Sequence, residues 1–367
     1  MCRYAFKVIL LLSLFTIMAG RSSQAACYFP SGDEKKVLVT FGESYHNYLP
    51  GSTMRMGVVF KNNSLDDVTV NQELIVCDSA GVIAWNTVIN LDLTANQSVS
   101  IPLMVPIPKF PGTFNLTLAE GSDGSGEDMP SFSFNVIQPG KSPRLSKILA
   151  HTPDWEEDLN KFLKTWEIKA PSVSWGQVLL LGKKGWTRFA EEDKEVTQLV
   201  DRSLKREMSV IFLDFSPNDL SKDSLLNMML PYDVSVSFIM AKSPEQSFIL
   251  KSDYKELTYG FSTHLMKTWN GYYGIEVPAT DLRFDGKGVK INAYATTGEN
   301  PYRFPIVELI PLAGKGKLYL CQIITDGRLD ESAKSPRNQP GLPAYDPMAV
   351  QFLLNLISAS VGDNLLK

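Results

Sequence analysis

The sequence predicts a chain of two parts, an all-β domain followed by an α/β domain built on a parallel sheet. Three observations predict it. Between residues 36 and 137, short apolar bursts alternate with polar residues at strand period, and turn residues separate them. After residue 145, continuous apolar runs alternate with segments of helical period, the signature of buried parallel strands covered by helices. Between the two regions, Gln138-Pro139-Gly140-Lys141-Ser142-Pro143 has the composition of a linker.

Before either domain, Arg3 and Lys7 precede an apolar run from Val8 to Ala19, and Ser23 and Ala25 form a small-x-small cleavage site. This order predicts a secretory signal peptide over residues 1–25. The run is about 12 residues, short of the roughly 20 that span a bilayer. No second long apolar run follows, so no transmembrane helix is expected, and the expected location is periplasmic or extracellular. Cys27 follows Ala25-Ala26, which opens an alternative of lipid anchoring at Cys27. Against it, Gln24 stands where a bacterial lipoprotein carries an aliphatic residue, and polar residues 21–24 separate the apolar run from the cysteine.

Removal of the signal leaves roughly 340 residues, enough for two domains with separate cores. Loss of Arg3, Lys7 and Arg21 takes the formal charge from −4 to −7. With no basic stripe, such a chain has no general attraction to nucleic acid or to an anionic membrane. Cys27, Cys77 and Cys321 remain, an odd and widely spaced set that is no disulfide framework. A Cys27–Cys77 bridge stays open, and Cys321, inside LYLCQII, reads as a small buried apolar residue. Sequons stand at Asn62, Asn96 and Asn115.

The first domain is predicted over 28–138. Met54, Met56, Val58 and Phe60 alternate with other residues, as do Val99, Ile101, Leu103 and Val105, then Phe114, Leu116 and Leu118, then Phe132, Phe134 and Val136. Seven or so such strands separated by turns suggest an immunoglobulin-like β-sandwich, without the Cys…Trp…Cys pattern of antibody domains. Residues 121–128, GSDGSGED, read as an acidic hairpin tip.

A linker over 139–145 leads to the α/β domain, 146–361. Lys147 to His151 is a short strand, and Thr152-Pro153 reads as a helix cap with proline in the first turn. Trp155, Leu159, Phe162, Leu163 and Trp166 recur at helical spacing. Strand Val178-Leu179-Leu180-Leu181, a helix near 190–207 and strand Val210-Ile211-Phe212-Leu213 follow. After a mixed region over 232–310, strand 317–324 and a final helix close the domain. Asp346 caps that helix and Pro347 starts it. The intervening loop, 327–345, is polar and proline-rich.

Three stretches of this half, GYYGIEVPATDLRFDG, FPIVELIPLAGKGKLYLCQIITDGRLDE and DPMAVQFLLNLISAS, resemble the C-terminal end of some bacterial family 2 glycoside hydrolases. That end is a class I glutamine-amidotransferase-like, flavodoxin-like α/β domain. Glu308 to Lys317 is similar to that family's GKGRVLLCQL segment, and Asp281-Leu282-Arg283-Phe284 to its DLRFW segment. The resemblance covers about residues 146–361 and implies a domain without amidotransferase chemistry. That chemistry needs a cysteine between glycines on a strand-to-helix elbow and a His-Glu pair. Here the elbow after strand 210–215 falls near Ser216-Pro217-Asn218 and has no cysteine. None of His46, His151 and His264 lies in a His-x-Glu pattern. The chain is also too short for a glycosidase barrel beside these domains.

The resemblance, with export, implies a non-catalytic accessory protein of carbohydrate handling, whose partner is a glycan or a glycoside hydrolase. Two alternatives stay open. One is an envelope module for structure or protein contacts. The other is a hydrolase with an unrecognised site, which predicts a pocket at the carboxyl ends of the strands that holds perturbed acids or His151. For ligand binding the candidates are Trp269, Tyr272 and Tyr273 around Asn270 and Gly271, then Asp281, Arg283 and His151. No cofactor is expected, since no two histidines or cysteines stand at metal-ligand spacing. Gly182-Lys183-Lys184-Gly185 and Gly314-Lys315-Gly316-Lys317 read as short turns without the spacing of a nucleotide cradle.

Overall fold

The structure, a computed structural model, describes residues 27–28, 37–42, 44–119, 130–168, 176–214, 234–239, 248–250, 257, 259–260, 270, 281–286, 289–293, 295–297, 306–311, 316–323, 325–331 and 345–361. The predicted signal, the tip 121–128, Ser216, His264, Trp269, Tyr272 and Tyr273 lie outside the described residues. The chain divides into two compact units, Met1–Ser44 with Gly51–Phe134, and Tyr45–Pro50 with Asn135–Lys367.

The first unit begins with β1 (Cys27–Tyr28) and β2 (Val37–Phe41). The chain then enters the second unit for β3 (Asn47–Tyr48) and returns as β4 (Thr53–Asn62), β5 (Val68–Asp78), β6 (Ile83–Leu93), β7 (Ser98–Pro106), β8 (Gly112–Leu118) and β9 (Ser131–Val136). One antiparallel sheet runs β1-β2-β4-β7, and a second runs β9-β8-β5-β6. Period-two patterning explains the burial: Met54, Met56, Val58 and Phe60 point inward from β4, and Leu74, Val76, Leu116 and Phe134 do so from the other sheet. The rings of Phe114 and Phe134 stack at 5.8 Å. Gly81, at φ +80°, closes the β5–β6 turn, a backbone region that favours glycine. Cys77 carries a free thiol, so it is not the half of a bridge that its spacing from Cys27 left open. The Asn62 sequon is buried, its amide nitrogen donating to the carbonyls of Asp66 and Thr94 at 2.7 and 3.0 Å.

In the second unit, β3 pairs in parallel with the end of β9, Asn47 opposite Asn135. Then come β10 (Ala150–His151), α1 (Glu157–Thr165), β11 (Val178–Leu181), α2 (Lys183–Ala190), α3 (Lys194–Lys205) and β12 (Ser209–Phe212). After these the chain forms β13 (Val234–Ile239), β14 (Phe248–Leu250), β15 (Asp281–Gly286), β16 (Val289–Ala293), β17 (Ala295–Thr297), β18 (Ile306–Pro311), β19 (Leu318–Cys321) and α4 (Pro347–Ser360). The main sheet has the order β10-β11-β12-β19-β18-β16. Its first four strands are parallel, while β18 and β16 extend it antiparallel. Antiparallel pairs β13–β15 and β14–β17 stand apart from it.

Every residue of β11, β12 and β19 is buried, as unbroken apolar strands require when both faces are covered. Val178, Leu180, Ile211, Tyr319 and Cys321 join α1 and α4 in one core cluster. On the opposite strand faces Phe212 meets Trp186 and Phe189 of α2 at 5.4 and 4.9 Å. Asp346 caps α4 as its position before Pro347 predicts, accepting from Met348 N at 2.8 Å. The cap expected at Thr152 differs: the Thr152 hydroxyl donates to Leu180 O at 2.9 Å, and α1 begins only at Glu157. The segment read as a linker is packed against α4, with Gly140 N donating to Gln351 Oε1 at 2.8 Å and Ser142 Oγ lying 3.0 Å from Ser358 Oγ.

Candidate functional site

The turn read as Gly182-Lys183-Lys184-Gly185 is a strand-to-helix elbow, the step from β11 into α2. The first amides of a helix have no partner within it and carry partial positive charge. Here a carboxylate from another segment meets them. Glu156 Oε1 accepts from Gly182 N at 2.8 Å and from Gly185 N at 2.7 Å. The two glycines make the approach feasible. A Cβ at Gly182 would stand 3.0 Å from Glu156 Oε2, and one at Gly185 would stand 2.8 Å from Oε1 and 2.9 Å from Leu181 Cβ. Glu156 is only 6% exposed. Burial raises its pKa, the two amides and Lys184 oppose the rise, and Asp326 adds to it. Its second oxygen, Oε2, accepts no hydrogen bond from any described residue.

The next parallel strand ends on a second buried acid. Asp214, two residues past β12, sits at φ +56°, a region that Asp and Asn enter more readily than other side chains. Its Oδ1 accepts from Thr325 N and from Asp326 N, the latter at 3.3 Å, and its Oδ2 from Thr325 Oγ1 at 3.2 Å. The carboxylate thereby ties the end of β12 to the loop after β19. Burial pushes its pKa up to about 7, against the pull of those donors and with a further push from Asp326.

The segments after β10, β11, β12 and β19 enclose a cavity of about 610 Å³. It lies where open α/β sheets take ligands, beyond the carboxyl ends of the strands. Glu156, Asp214 and Asp326 line it, with Lys183, Lys184 and Trp155 beside them. Arg188 stands 4.5 Å over the Trp155 ring and is held by Asp193 and Glu195 at 2.8 and 2.7 Å. The Trp155 indole nitrogen is buried without a hydrogen-bond partner. Because Glu156 already fills the amide cradle of α2, the elbow is no phosphate site. Its groups suit hydroxyls and amines.

The sequence candidates fall elsewhere. His151 is half-buried at the end of β10 but does not line the cavity, and burial lowers its pKa against the pull of Asp154. Asp281 and Arg283 belong to β15, where they pair with Ile239 and Ser237 of β13. Trp269, Tyr272 and Tyr273 lie outside the described residues, but Asn270 among them is buried and committed to structure. Its amide N donates to Asp346 Oδ2 at 2.7 Å, its Oδ1 accepts from the backbone of His46 and Asn47, and its carbonyl accepts from Arg328 Nε at 2.9 Å. Cys321 is fully buried in β19, where burial raises the thiol pKa and denies it the thiolate a nucleophile needs.

Sequence reasoning missed Glu156, Asp214 and Asp326. The available signal was positional: Gly-x-x-Gly directly after VLLL, Asp directly after VIFL, and Thr-Asp-Gly shortly after LYLC. Each marks the carboxyl end of a buried parallel strand.

No family model and no curated protein matches this chain. Among solved structures, a β-glucosidase from Listeria innocua in complex with glucose aligns at 14% identity and TM-score 0.24, covering 29% of this chain and 17% of the other. The alkylpurine DNA glycosylase AlkC of Pseudomonas fluorescens, bound to DNA containing an abasic site analog, aligns at 14% identity and TM-score 0.21, covering 27% of this chain and 30% of that one. The chain spans less than a third of the length of either, and likeness of this extent carries no argument about fold or function. Among the described residues no helix is long and apolar enough to cross a membrane, and no group of three or more His, Cys, Asp or Glu could hold a metal ion.

Proposed function

We propose that this is an exported accessory protein of carbohydrate handling, with an immunoglobulin-like domain ahead of an amidotransferase-like α/β domain that binds a small polyhydroxylated ligand. The observation that carries the reading is the cavity at the carboxyl ends of β10, β11, β12 and β19, of about 610 Å³ and lined by Glu156, Asp214 and Asp326. Its volume lies in the range of small-molecule sites. Fixed carboxylates accept hydrogen bonds from hydroxyl groups, and lysines at the rim donate to ring and hydroxyl oxygens. Calorimetric titration of the full chain with mono- to trisaccharides tests the reading. Binding in the millimolar range or tighter, weakened at least fivefold by Asp326→Ala, supports it. Silence across the panel overturns it.

A second reading, a hydrolase with an unrecognised site, gains from the raised pKa values of Glu156 and Asp214 in the same cavity, since paired acids with shifted pKa values are the apparatus of general acid–base catalysis. Turnover of a nitrophenyl glycoside panel that disappears in Asp214→Asn would favour it. A panel without turnover disposes of it for that substrate class.

A further inference from the structure

The charge around the cavity is unequal. Six carboxylates line it (Glu156, Glu157, Asp158, Asp214, Asp326 and Asp330) against three cations, Lys183, Lys184 and Arg188. Arg188 is taken by Asp193 and Glu195, and Asp330 pairs with Lys161. Glu156, Glu157, Asp158 and Asp326, with Asp214 ionised only in part because burial pushes its pKa up to about 7, then face two exposed lysines of the first turn of α2. A concave, low-dielectric wall concentrates such a field, so the cavity attracts positive charge. Glu156 makes the attraction specific. The residue is buried, one oxygen is locked by two amides, and the other has no donor among the described residues and borders the cavity. A charged oxygen that opens onto a cavity is met there by water or by a donor of the ligand. Among the described residues no three acids converge closely enough for a metal ion. That directs the expectation from a bare divalent cation to an organic one.

We infer that the ligand of this cavity carries a protonated amino group that binds at Glu156 Oε2, beside hydroxyls that engage the remaining acids and the lysines. Resting on the proposed carbohydrate reading, this narrows the ligand class to amino sugars whose amine is free rather than acetylated. The ammonium sits against Glu156 and Asp326 as a charge-assisted donor, and acetylation removes both its charge and two of its protons.

The test is a calorimetric titration of the full chain with four probes: a glucosamine trisaccharide, its N-acetylated counterpart, a glucose trisaccharide and a plain alkyl diamine. The pH is one at which the amines are protonated. The glucosamine trisaccharide is expected to bind at least tenfold more tightly than the acetylated and neutral sugars, with a preference that shrinks as salt is raised. Glu156→Gln keeps an oxygen for the two amides and the shape of the side chain. It is expected to remove the tenfold preference, so that the glucosamine trisaccharide binds no more tightly than the glucose trisaccharide does to the same variant. Asp326→Asn, an exposed position, is expected to reduce the preference at least threefold, so the outcome stands even if Glu156→Gln fails to fold. Equal affinity for all three sugars overturns the amine inference and leaves the polyhydroxyl reading intact. A diamine that binds as tightly as the amino sugar upholds selection for a cation and overturns the sugar reading. No binding of any probe overturns both.

Discussion

Glu156 and Asp346 meet the same physics and put it to opposite use. Each is a buried carboxylate at a helix N-terminus, each accepts backbone N–H groups, and burial raises the pKa of each. Asp346 caps its own helix, α4, and also accepts from Asn270 N at 2.7 Å and Asn47 Nδ2 at 3.2 Å, with the Arg328 charge favouring its ionised form. Both its oxygens are used, and it fastens segments that the sequence separates by up to 299 residues. Glu156 caps a helix it does not belong to, and it does so with one oxygen. The difference shows which buried acid is structural and which is poised: satisfaction of all acceptor sites marks the first, and one oxygen left at a cavity marks the second.

The comparison breaks most directly at Asp346. Asp346→Ala strips the cap from α4 and removes the oxygen to which the Asn270 N–H and Asn47 Nδ2 donate in a buried interior. The expected loss is about 3–4 kcal/mol of unfolding free energy, read by urea denaturation. Affinity for a cavity ligand should stay unchanged in the fraction that folds. A loss below about 1 kcal/mol would show that the cluster around Asn270 is not the clasp its geometry indicates.

Gly185→Ala attacks the other member of the pair. The new methyl carbon would stand 2.8 Å from Glu156 Oε1 and 2.9 Å from Leu181 Cβ, and the latter cannot swing aside because it is joined to the strand backbone. Stability is expected to fall by about 2–3 kcal/mol. The carboxylate must leave the amide cradle, so ligand binding should be lost along with it. A variant that keeps both would mean that the elbow relaxes freely.

Asp214 gives the pH signature. Its folded pKa, about 7, lies above the ordinary value of 3.8, so the folded state holds its proton more tightly than the unfolded chain does. Its contribution to stability is therefore full below about pH 4 and is lost as pH rises through about 7. The Asp326 carboxylate faces it and Cys321 lies close enough to be coupled to it, while Thr325 and the Asp326 amide donate to it. Between about pH 4 and pH 8 the decline attributable to Asp214 should be on the order of 4 kcal/mol. Asp214→Asn should flatten that slope and be the more stable form at the alkaline end. Identical pH profiles for the two proteins would remove Asp214 as the titrating group.

How much of this was legible in the sequence depends on the range of the interaction. Alternation in Met54 to Phe60 and the unbroken runs VLLL, VIFL and LYLC announce their strands because burial follows the period of the backbone. Asp346-Pro347 announces a helix start because cap and proline act within one turn. Helix α2 was hidden by its own glycines: Gly182 and Gly185 read as turn residues, yet they are small because Glu156, from a different segment, must reach the amides. Thr152-Pro153 resembled a cap, but the hydroxyl found the carbonyl of Leu180 across the sheet and the helix began later. The antiparallel strands β18 and β16 show no mark of their direction, since chain direction within a sheet is decided by connections rather than composition. The cavity acids carry only a positional mark for a related reason. An Asp after a strand is ordinary, and only the parallel registers of β11, β12 and β19 bring three such strand ends to one edge.

The smallest expected effect is also the sharpest separation of the pair. Glu156→Gln retains an amide oxygen for Gly182 N and Gly185 N while the charge, which burial disfavours, is gone. The lost attraction to the α2 N-terminus and the relieved burial cost oppose each other, and the net change should be within about 1 kcal/mol. Asp346→Asn cannot be so mild. Donors meet both of its oxygens, so the new NH2 must face either the Met348 N–H or the Asn270 N–H, and a loss of about 2 kcal/mol is expected. Denaturation curves of the two variants, measured side by side, decide the matter. If Glu156→Gln costs as much as Asp346→Asn, the glutamate is a second structural clasp, and its open oxygen loses its claim to a ligand.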